Sequence, residues 1–252
     1  MFRAWSTLAR PVTVSDDVIA AIKAEVSAVT GRIMLLGVTR GLMSAGSNLV
    51  AVDRNAGLVR DLSHAAVAPI VVGDWRSLPF PDASFDACIG DGSLISFDPD
   101  QLAGVLGEVA RCLKPGGKLA CRVFMSPDAP ETLADVERAV TERRLTFQQF
   151  KFKFAMATGM ELGNSTTVAV ASIPTWFDAA FPDRDRLAAL TGWDRAEIDT
   201  IDVYRSSPSR YTFPTRSQLL AALPSAFAAS RFVAVPTHPF GHEWPVVVLA
   251  RI

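Results

Sequence analysis

The 252-residue sequence has little cysteine and no excess of either charge. Its three cysteines, Cys88, Cys112 and Cys121, are an odd number without a Cys-x-x-Cys pair, which excludes a disulfide framework and favours a reducing compartment. We therefore expect a cytoplasmic protein. Lys and Arg total 25 against 26 Asp and Glu, so the net charge of -1 offers no overall basic field for nucleic acid or an anionic membrane.

Long apolar runs are also missing. The least charged stretch, residues 162–177, contains Asn, Ser, Thr and Pro and falls short of the roughly 18 to 20 apolar residues that cross a bilayer. The first twelve residues have no apolar segment of the kind found in a signal peptide. Because 49% of the residues are apolar and 20% are charged, the chain is instead expected to bury a large globular core.

The sequence does contain a repeated alternation of short apolar runs with helix-length segments. Four such runs end in Gly or Asp, which is typical of parallel strands covered on both faces. Helices are predicted over residues 15–29 and 100–113, the second ending at Lys-Pro-Gly-Gly, and a fifth strand over 118–125. The first four predicted strands are 33–37, 49–53, 69–74 and 85–91. This pattern predicts a doubly wound α/β sheet that binds ligands at the carboxyl ends of its strands.

The alternation stops after residue 126. Segment 127–231 has helical patterns at 131–144, through the phenylalanines of 147–158 and at 217–229, but no comparable buried strand. We expect a mainly helical lobe inserted over the active site. Residues 232–236 and 244–252 are predicted to close the sheet as an antiparallel pair. The predicted organisation is therefore a cofactor-binding sheet domain (1–126), the lobe (127–231) and a closing strand pair (232–252).

Five motifs follow one another within residues 15–125. They are the glycine turn 36–41, Asp53, Gly73-Asp74-Trp75, the segment 78–86 and the segment 108–117. In this order they resemble the class I methyltransferase family, which uses S-adenosylmethionine and releases S-adenosylhomocysteine. The resemblance implies a mostly parallel, seven-stranded Rossmann-like sheet whose last strand is antiparallel and lies beside the sixth. It also implies an enzyme that methylates an acceptor, which we expect to be a small molecule.

Residues at the ends of the first three strands suit a nucleoside ligand. Glycines such as Gly37 and Gly41 let the backbone approach a ligand and present N–H groups to it. Asp53 is placed to accept hydrogen bonds from both ribose hydroxyls, and Asp74 from an adenine amino group, beside a wall formed by Trp75. The alternatives are a simple turn, a helix cap and a core tryptophan. The predicted cofactor-binding residues are Gly37, Val38, Thr39, Arg40, Gly41, Asp53, Arg54, Gly73, Asp74, Trp75, Gly90, Asp91 and Gly92.

The first glycine turn departs from the family pattern. Leu35 stands where relatives usually have an acid, and Thr39 replaces the middle glycine. Arg40 either pairs with the cofactor carboxylate, fills the pocket or faces solvent. The departure supports an alternative from another class, a non-catalytic binding or regulatory protein with this scaffold. A nicotinamide oxidoreductase is disfavoured because the turn lacks Gly-x-Gly-x-x-Gly.

Candidate catalytic residues follow the fourth strand and lie in the closing hairpin. Asp91 either orients the acceptor, acts as a general base or caps the next helix. His238 or His242 becomes a base if the hairpin folds over the pocket. These histidines and the isolated His64 lack the spacing of a metal site, so we expect no metal.

A nucleic-acid methyltransferase is the weakest of the alternatives. The Ile-Gly-Asp-Gly-Ser-Leu sequence at 89–94 lacks the Asn/Asp-Pro-Pro-aromatic tetrad of enzymes that methylate base amines. Basic residues interleave with phenylalanines over 143–154 and suit base stacking, although helical spacing favours packing. Tyr204 and Tyr211, with Arg205 and Arg210 between them, either line the acceptor pocket or have a hydrogen-bonded packing role. We expect the segment around Trp5 to close over the cofactor.

Overall fold

The computed structural model describes residues 14–63, 66–238 and 240–252. The described chain divides into two compact units, one of residues 14–124 and 218–252 and the other of residues 125–217. The segment around Trp5 and the isolated His64 lie outside the described residues.

The first unit contains a single seven-stranded sheet. Strands β1 to β5 pair in parallel, and β9 pairs antiparallel with both β5 and β8. The strands are β1 (Ile33–Leu36), β2 (Leu49–Asp53), β3 (Ile70–Val72), β4 (Phe85–Asp91), β5 (Leu113–Arg122), β8 (Phe227–Val233) and β9 (Val246–Arg251), in the spatial order β3-β2-β1-β4-β5-β9-β8. The predicted mostly parallel sheet with an antiparallel last strand is confirmed.

The sheet has its switch point at β1, which pairs with β2 on one side and β4 on the other. All four β1 residues are buried, as its apolar run predicts. In open sheets of this kind the crevice outside the carboxyl ends at the switch point receives ligands. The helices of this unit are α1 (Asp16–Val26), α2 (Ala56–Ser63) and α3 (Pro99–Cys112).

Helix α3 binds the segment that precedes β4. Glu108 Oε2 accepts a hydrogen bond from the Leu78 amide at 2.8 Å. Arg111 donates to the Phe80 carbonyl at 2.9 Å and to Asp82 Oδ1 at 2.7 Å. The two motifs at 78–86 and 108–117 thus hold one another, because the first supplies a carbonyl, an amide and the Asp82 carboxylate, and the second supplies the charged groups of Glu108 and Arg111.

Three predicted elements of the sheet unit differ in the structure: the fifth strand, the helix at 217–229 and the strand predicted at 232–236, which is β8 and covers Phe227–Val233. Strand β5 begins at Leu113 and includes the Lys-Pro-Gly-Gly residues, because a register shift opposite Phe85 and Ala87 absorbs the extra residues as a bulge. The helix predicted at 217–229 is present at its start but is shorter than predicted. Helix α9 covers only Arg216–Ala221, since Pro224 cannot continue it, and β8 begins at Phe227. Residues 218–252 cluster with the sheet unit.

The second unit is mainly helical, as predicted. It contains a two-stranded antiparallel sheet, β6 with β7, that the sequence did not reveal. Its elements before α9 are α4 (Leu133–Thr141), α5 (Phe147–Gly163), β6 (Thr167–Ala169), α6 (Ser172–Ala180), α7 (Arg184–Thr191), α8 (Arg195–Asp199) and β7 (Arg210–Thr212). Among the described residues no helix combines the length and apolar character needed to span a membrane.

The phenylalanines of α5 are packing residues. Phe147, Phe150, Phe152 and Phe154 are all buried, and Phe150 lies 5.9 Å from the ring of Phe177. Buried rings are not available to stack on bases, so the packing interpretation is confirmed.

Candidate functional site

Gly37, Asp53 and Trp75 converge at the carboxyl ends of β1, β2 and β3. Gly37 has a φ of +91°, and a Cβ built on it would lie 3.9 Å from Asp53 Oδ2 and 3.8 Å from the Trp75 ring. The glycine keeps this space open and tolerates the left-handed φ. Its N–H is already donated to the Val52 carbonyl at 2.9 Å, so Gly37 supplies space and not the N–H that was predicted.

A hydrogen bond to one of its oxygens orients the Asp53 carboxylate. Oδ1 accepts from the Asn55 amide at 2.8 Å, and no bond to Oδ2 is found within the described part of the chain. The cap of α2 is Asn55, whose Oδ1 accepts from the Leu58 amide at 3.0 Å. Asp53 is therefore not the helix cap, and its half-buried carboxylate retains an acceptor next to Gly37.

Trp75 is a half-buried wall and not a core residue. Its indole N–H donates to the Val52 carbonyl at 2.9 Å, which fixes the plane of the ring. The ring lies 5.8 Å from Phe97 at an interplanar angle of 46°. Phe97 was not predicted for the site, because nothing in its local sequence distinguishes it from a core residue.

Asp74 is already engaged by a neighbouring arginine. Arg76 Nε lies 3.0 Å from Asp74 Oδ1 and 3.1 Å from Oδ2, and these bonds lower the pKa of Asp74 to about 2. An adenine amino group would have to share that carboxylate. Gly73 is required by packing, since a Cβ there would lie 2.7 Å from Pro79.

The rest of the first glycine turn packs on α1 or faces solvent. A Cβ on Gly41 would lie 2.1 Å from Ile19 of α1, so this glycine serves close packing of the turn on the helix. Arg40 is exposed at the start of a 3-10 turn, Arg40–Leu42. Val38 and Thr39 are half-buried, and Arg54 after β2 is exposed.

The end of β4 is packed tightly against the end of β1. The Ser93 hydroxyl donates to the Leu36 carbonyl at 2.8 Å. A Cβ on Gly90 would lie 2.7 Å from Ser93 Oγ, and one on Gly92, whose φ is +62°, would lie 2.8 Å from Phe124. Both glycines let the turn after β4 reach the switch point.

Asp91 and His238 have partners that do not suit a general base. Arg122, at the end of β5, is fully buried and binds Asp91 through Nε at 2.6 Å and Nη2 at 3.1 Å. Its Nη1 lies 2.9 Å from His238 Nε2. Because a guanidinium only donates, the ring nitrogen accepts and is not available to an acceptor molecule. Arg122 was missed because its partners are remote in sequence.

The described residues add neither His242 nor a group of metal ligands to this site. His242 is exposed. In the described ranges no three His, Cys, Asp or Glu residues are grouped as metal ligands. The site therefore consists of the strand ends and the turns that follow them.

The chemistry of the site fits S-adenosylmethionine. Asp53 Oδ2 offers a charged acceptor to a ribose hydroxyl, the space beside Gly37 admits a ligand, and Trp75 offers a ring face to a base. All three belong to one unit of the chain.

Known methyltransferases are similar to this chain in sequence. A family described as a methyltransferase domain matches residues 36–121. A demethylmenaquinone methyltransferase of Corynebacterium urealyticum is 41% identical over 62% of this chain and 62% of its own length. The chain spans less than two thirds of the length of such curated relatives.

Solved structures show the fold. A SAM-dependent methyltransferase of Methanosarcina mazei aligns with a TM-score of 0.51 at 18% identity, covering 88% of this chain and 92% of the other. The PH0226 protein of Pyrococcus horikoshii aligns with a TM-score of 0.52 at 18% identity, covering 100% and 98%. Residues 36–121 therefore match a methyltransferase domain, and the strand order is the one expected from the resemblance to class I methyltransferases.

Proposed function

We propose that the protein transfers the methyl group of S-adenosylmethionine to a small-molecule acceptor. The convergence of Gly37, Asp53 and Trp75 at the switch point carries this proposal, because it combines a charged acceptor, an open backbone position and an aromatic wall. When bound, S-adenosylmethionine supplies an electrophilic methyl group on its sulfonium, and S-adenosylhomocysteine remains after transfer.

The residues of the chain contribute binding and orientation. Asp53 accepts ribose hydroxyls, Trp75 packs against the nucleoside and Gly37 leaves room for it. The Ser93 bond to Leu36 holds the turn after β4 at the same edge. Holding two reactants at near-attack distance is worth up to about 7 to 11 kcal/mol. Asp91 and His238 are bound to Arg122, so orientation and not proton removal is the role that their contacts favour.

The acceptor is proposed from the relatives. Several are named demethylmenaquinone methyltransferases, and demethylmenaquinone is therefore the first compound to test. The segment 127–231 is proposed to select the acceptor, with Tyr204 and Tyr211 as candidates. Their rings lie 6.3 Å apart, and burial raises the pKa of both, which keeps the hydroxyls neutral.

Calorimetry and transfer of a labelled methyl group test the proposal. We expect S-adenosylmethionine and S-adenosylhomocysteine to bind and NAD not to bind, and we expect label to reach demethylmenaquinone or another small metabolite. Binding of NAD alone would refute the assignment.

A second candidate function is a non-catalytic binding protein, which the exposed Arg40 and the altered glycine turn favour. Binding of S-adenosylmethionine without transfer to any acceptor would support it. Transfer to RNA or DNA would contradict the small-molecule proposal.

A further inference from the structure

Two aromatic rings meet across the carboxyl edge of the sheet. Trp75 follows β3 and Phe97 follows β4, and strands β2 and β1 lie between β3 and β4 in the sheet. Neighbouring strands are about 4.8 Å apart, so β3 and β4 are separated by about 14 Å. The centroids of the two rings are nevertheless 5.8 Å apart. The pair therefore spans the ends of β2 and β1, where open sheets of this kind bind ligands.

Trp75 is the ring that lies across these strand ends. Its indole N–H donates to the Val52 carbonyl of β2 at 2.9 Å, and its Cζ2 atom lies 3.8 Å from a Cβ built on Gly37, directly after β1. Because Trp75 is only half-buried, its N–H can exchange this bond for one to water at little cost. The bond therefore keeps the ring in its plane only while the ring is also packed in place.

Phe97 is itself held by the start of α3. Only 4% of the residue is exposed, and its amide donates to the Leu94 carbonyl at 3.3 Å. The next residue, Asp98, caps α3, and its carbonyl accepts from the Leu102 amide at 3.0 Å. Phe97 offers almost no surface to a ligand, so its contact with Trp75 is the route by which it acts on the site.

We propose that Phe97 is a positioning residue for the cofactor, which holds the Trp75 ring in the orientation that packs against the nucleoside. This role of Phe97 rests on the proposed function, because Trp75 is a wall of that site. The two rings are tilted by 46°, an arrangement between stacked and edge-on that suits an aromatic pair. Without Phe97 the indole gains orientations that must be lost again when a ligand packs on it. Affinity should therefore fall although no contact to the ligand is removed.

Calorimetry with S-adenosylhomocysteine on the full chain tests this role. Phe97→Leu keeps an apolar side chain and removes the ring, and we expect it to raise the Kd at least fivefold. Phe85→Leu is the matched control, because Phe85 is fully buried, its ring lies 4.9 Å from that of Phe80, and it stands at the opposite end of β4 from the site. It should lower the Tm as Phe97→Leu does and change the Kd less than twofold. An unchanged Kd for Phe97→Leu, or an equal change in both variants, would overturn the proposal.

A double-mutant cycle shows whether Phe97 acts through Trp75. Trp75→Leu removes the supported ring and should itself raise the Kd for S-adenosylhomocysteine. In that background Phe97→Leu should change the Kd less than twofold, because there is no longer an indole to hold. A fivefold loss in both backgrounds would show that Phe97 acts by itself and would refute the positioning role. An unchanged Kd for Trp75→Leu would refute it as well, since Trp75 would then not be a wall of the site.

A measurement without ligand follows the Trp75 ring directly. The five tryptophans can be labelled with 5-fluorotryptophan, and the Trp75 signal in the fluorine NMR spectrum is the one that Trp75→Leu removes. Phe97→Leu should shift this signal toward that of free 5-fluorotryptophan, whereas Phe85→Leu should leave it in place. No shift in Phe97→Leu would contradict the support of Trp75 by Phe97.

The two kinds of measurement distinguish failure of the positioning role from failure of the proposed function. If the Trp75 signal shifts but the natural protein binds neither S-adenosylmethionine nor S-adenosylhomocysteine, Phe97 supports the ring and the proposed function is wrong. If the natural protein binds S-adenosylhomocysteine and Phe97→Leu binds it equally well, the proposed function stands and the positioning role is wrong.

Discussion

Replacing Asp53 by asparagine is expected to weaken S-adenosylmethionine binding and leave the fold intact. The asparagine oxygen can still accept from the Asn55 amide, which Asp53 Oδ1 does at 2.8 Å. The second oxygen, next to Gly37, becomes an uncharged donor. A hydrogen bond to a charged group is worth about 1.5 to 3 kcal/mol, so we expect the Kd to rise roughly 10- to 150-fold.

The matched control is Asn55→Ala. Asn55 Oδ1 caps α2 through the Leu58 amide at 3.0 Å, and removal of a helix cap costs about 1 kcal/mol. In a chain of this size that loss lowers the Tm by roughly 2 to 4 °C. Asn55→Ala should therefore lower the Tm and leave the Kd unchanged. Asp53→Asn should raise the Kd and leave the Tm unchanged.

Calorimetry for the Kd and thermal unfolding for the Tm distinguish the two variants. If Asp53→Asn bound S-adenosylmethionine as tightly as the natural protein and melted at a lower temperature, Asp53 would only shape the turn. The ribose-binding role would then be wrong, and with it the proposed orientation of the cofactor.

Three further changes test other parts of the first unit. Gly37→Ala should cost about 1 to 2 kcal/mol of stability, because φ at this position is +91°. It should also reduce the affinity for S-adenosylmethionine, because the added methyl group would enter the space beside Trp75. An unchanged Kd in calorimetry would contradict the second effect. Arg111→Ala should lower the free energy of unfolding in urea by about 1 to 3 kcal/mol, since it removes the hydrogen bonds to the Phe80 carbonyl and to Asp82. An unchanged free energy would mean that other contacts hold the segment 78–86. Arg76 lowers the pKa of Asp74 to about 2, below the ordinary 3.8. The stabilisation of the fold by this pair is therefore complete above pH 3.8 and is lost as the pH falls toward 2. Asp74→Asn should flatten the dependence of the unfolding free energy on pH in that window, and an unchanged slope would contradict the pairing.

The sequence by itself determined three of the parallel strands and the meeting of three site residues at their ends. The apolar runs that become β1, β2 and β4 end in Gly or Asp, and their bounds agree with the structure within a residue. Gly37, Asp53 and Trp75 could be placed together before any coordinates, because the carboxyl ends of parallel strands meet at one edge of a sheet. Local periodicity and a fixed topology are enough for that inference.

The tertiary structure decided what the side chains bind. Asp91 and Arg122 are 31 residues apart, and His238 lies 116 residues beyond Arg122, yet they meet because β4 lies beside β5 and the hairpin before β9 returns to the same edge. The packing of Gly41 against Ile19 likewise depends on where α1 lies. No local pattern encodes these contacts, since each depends on which elements become neighbours after the chain has folded.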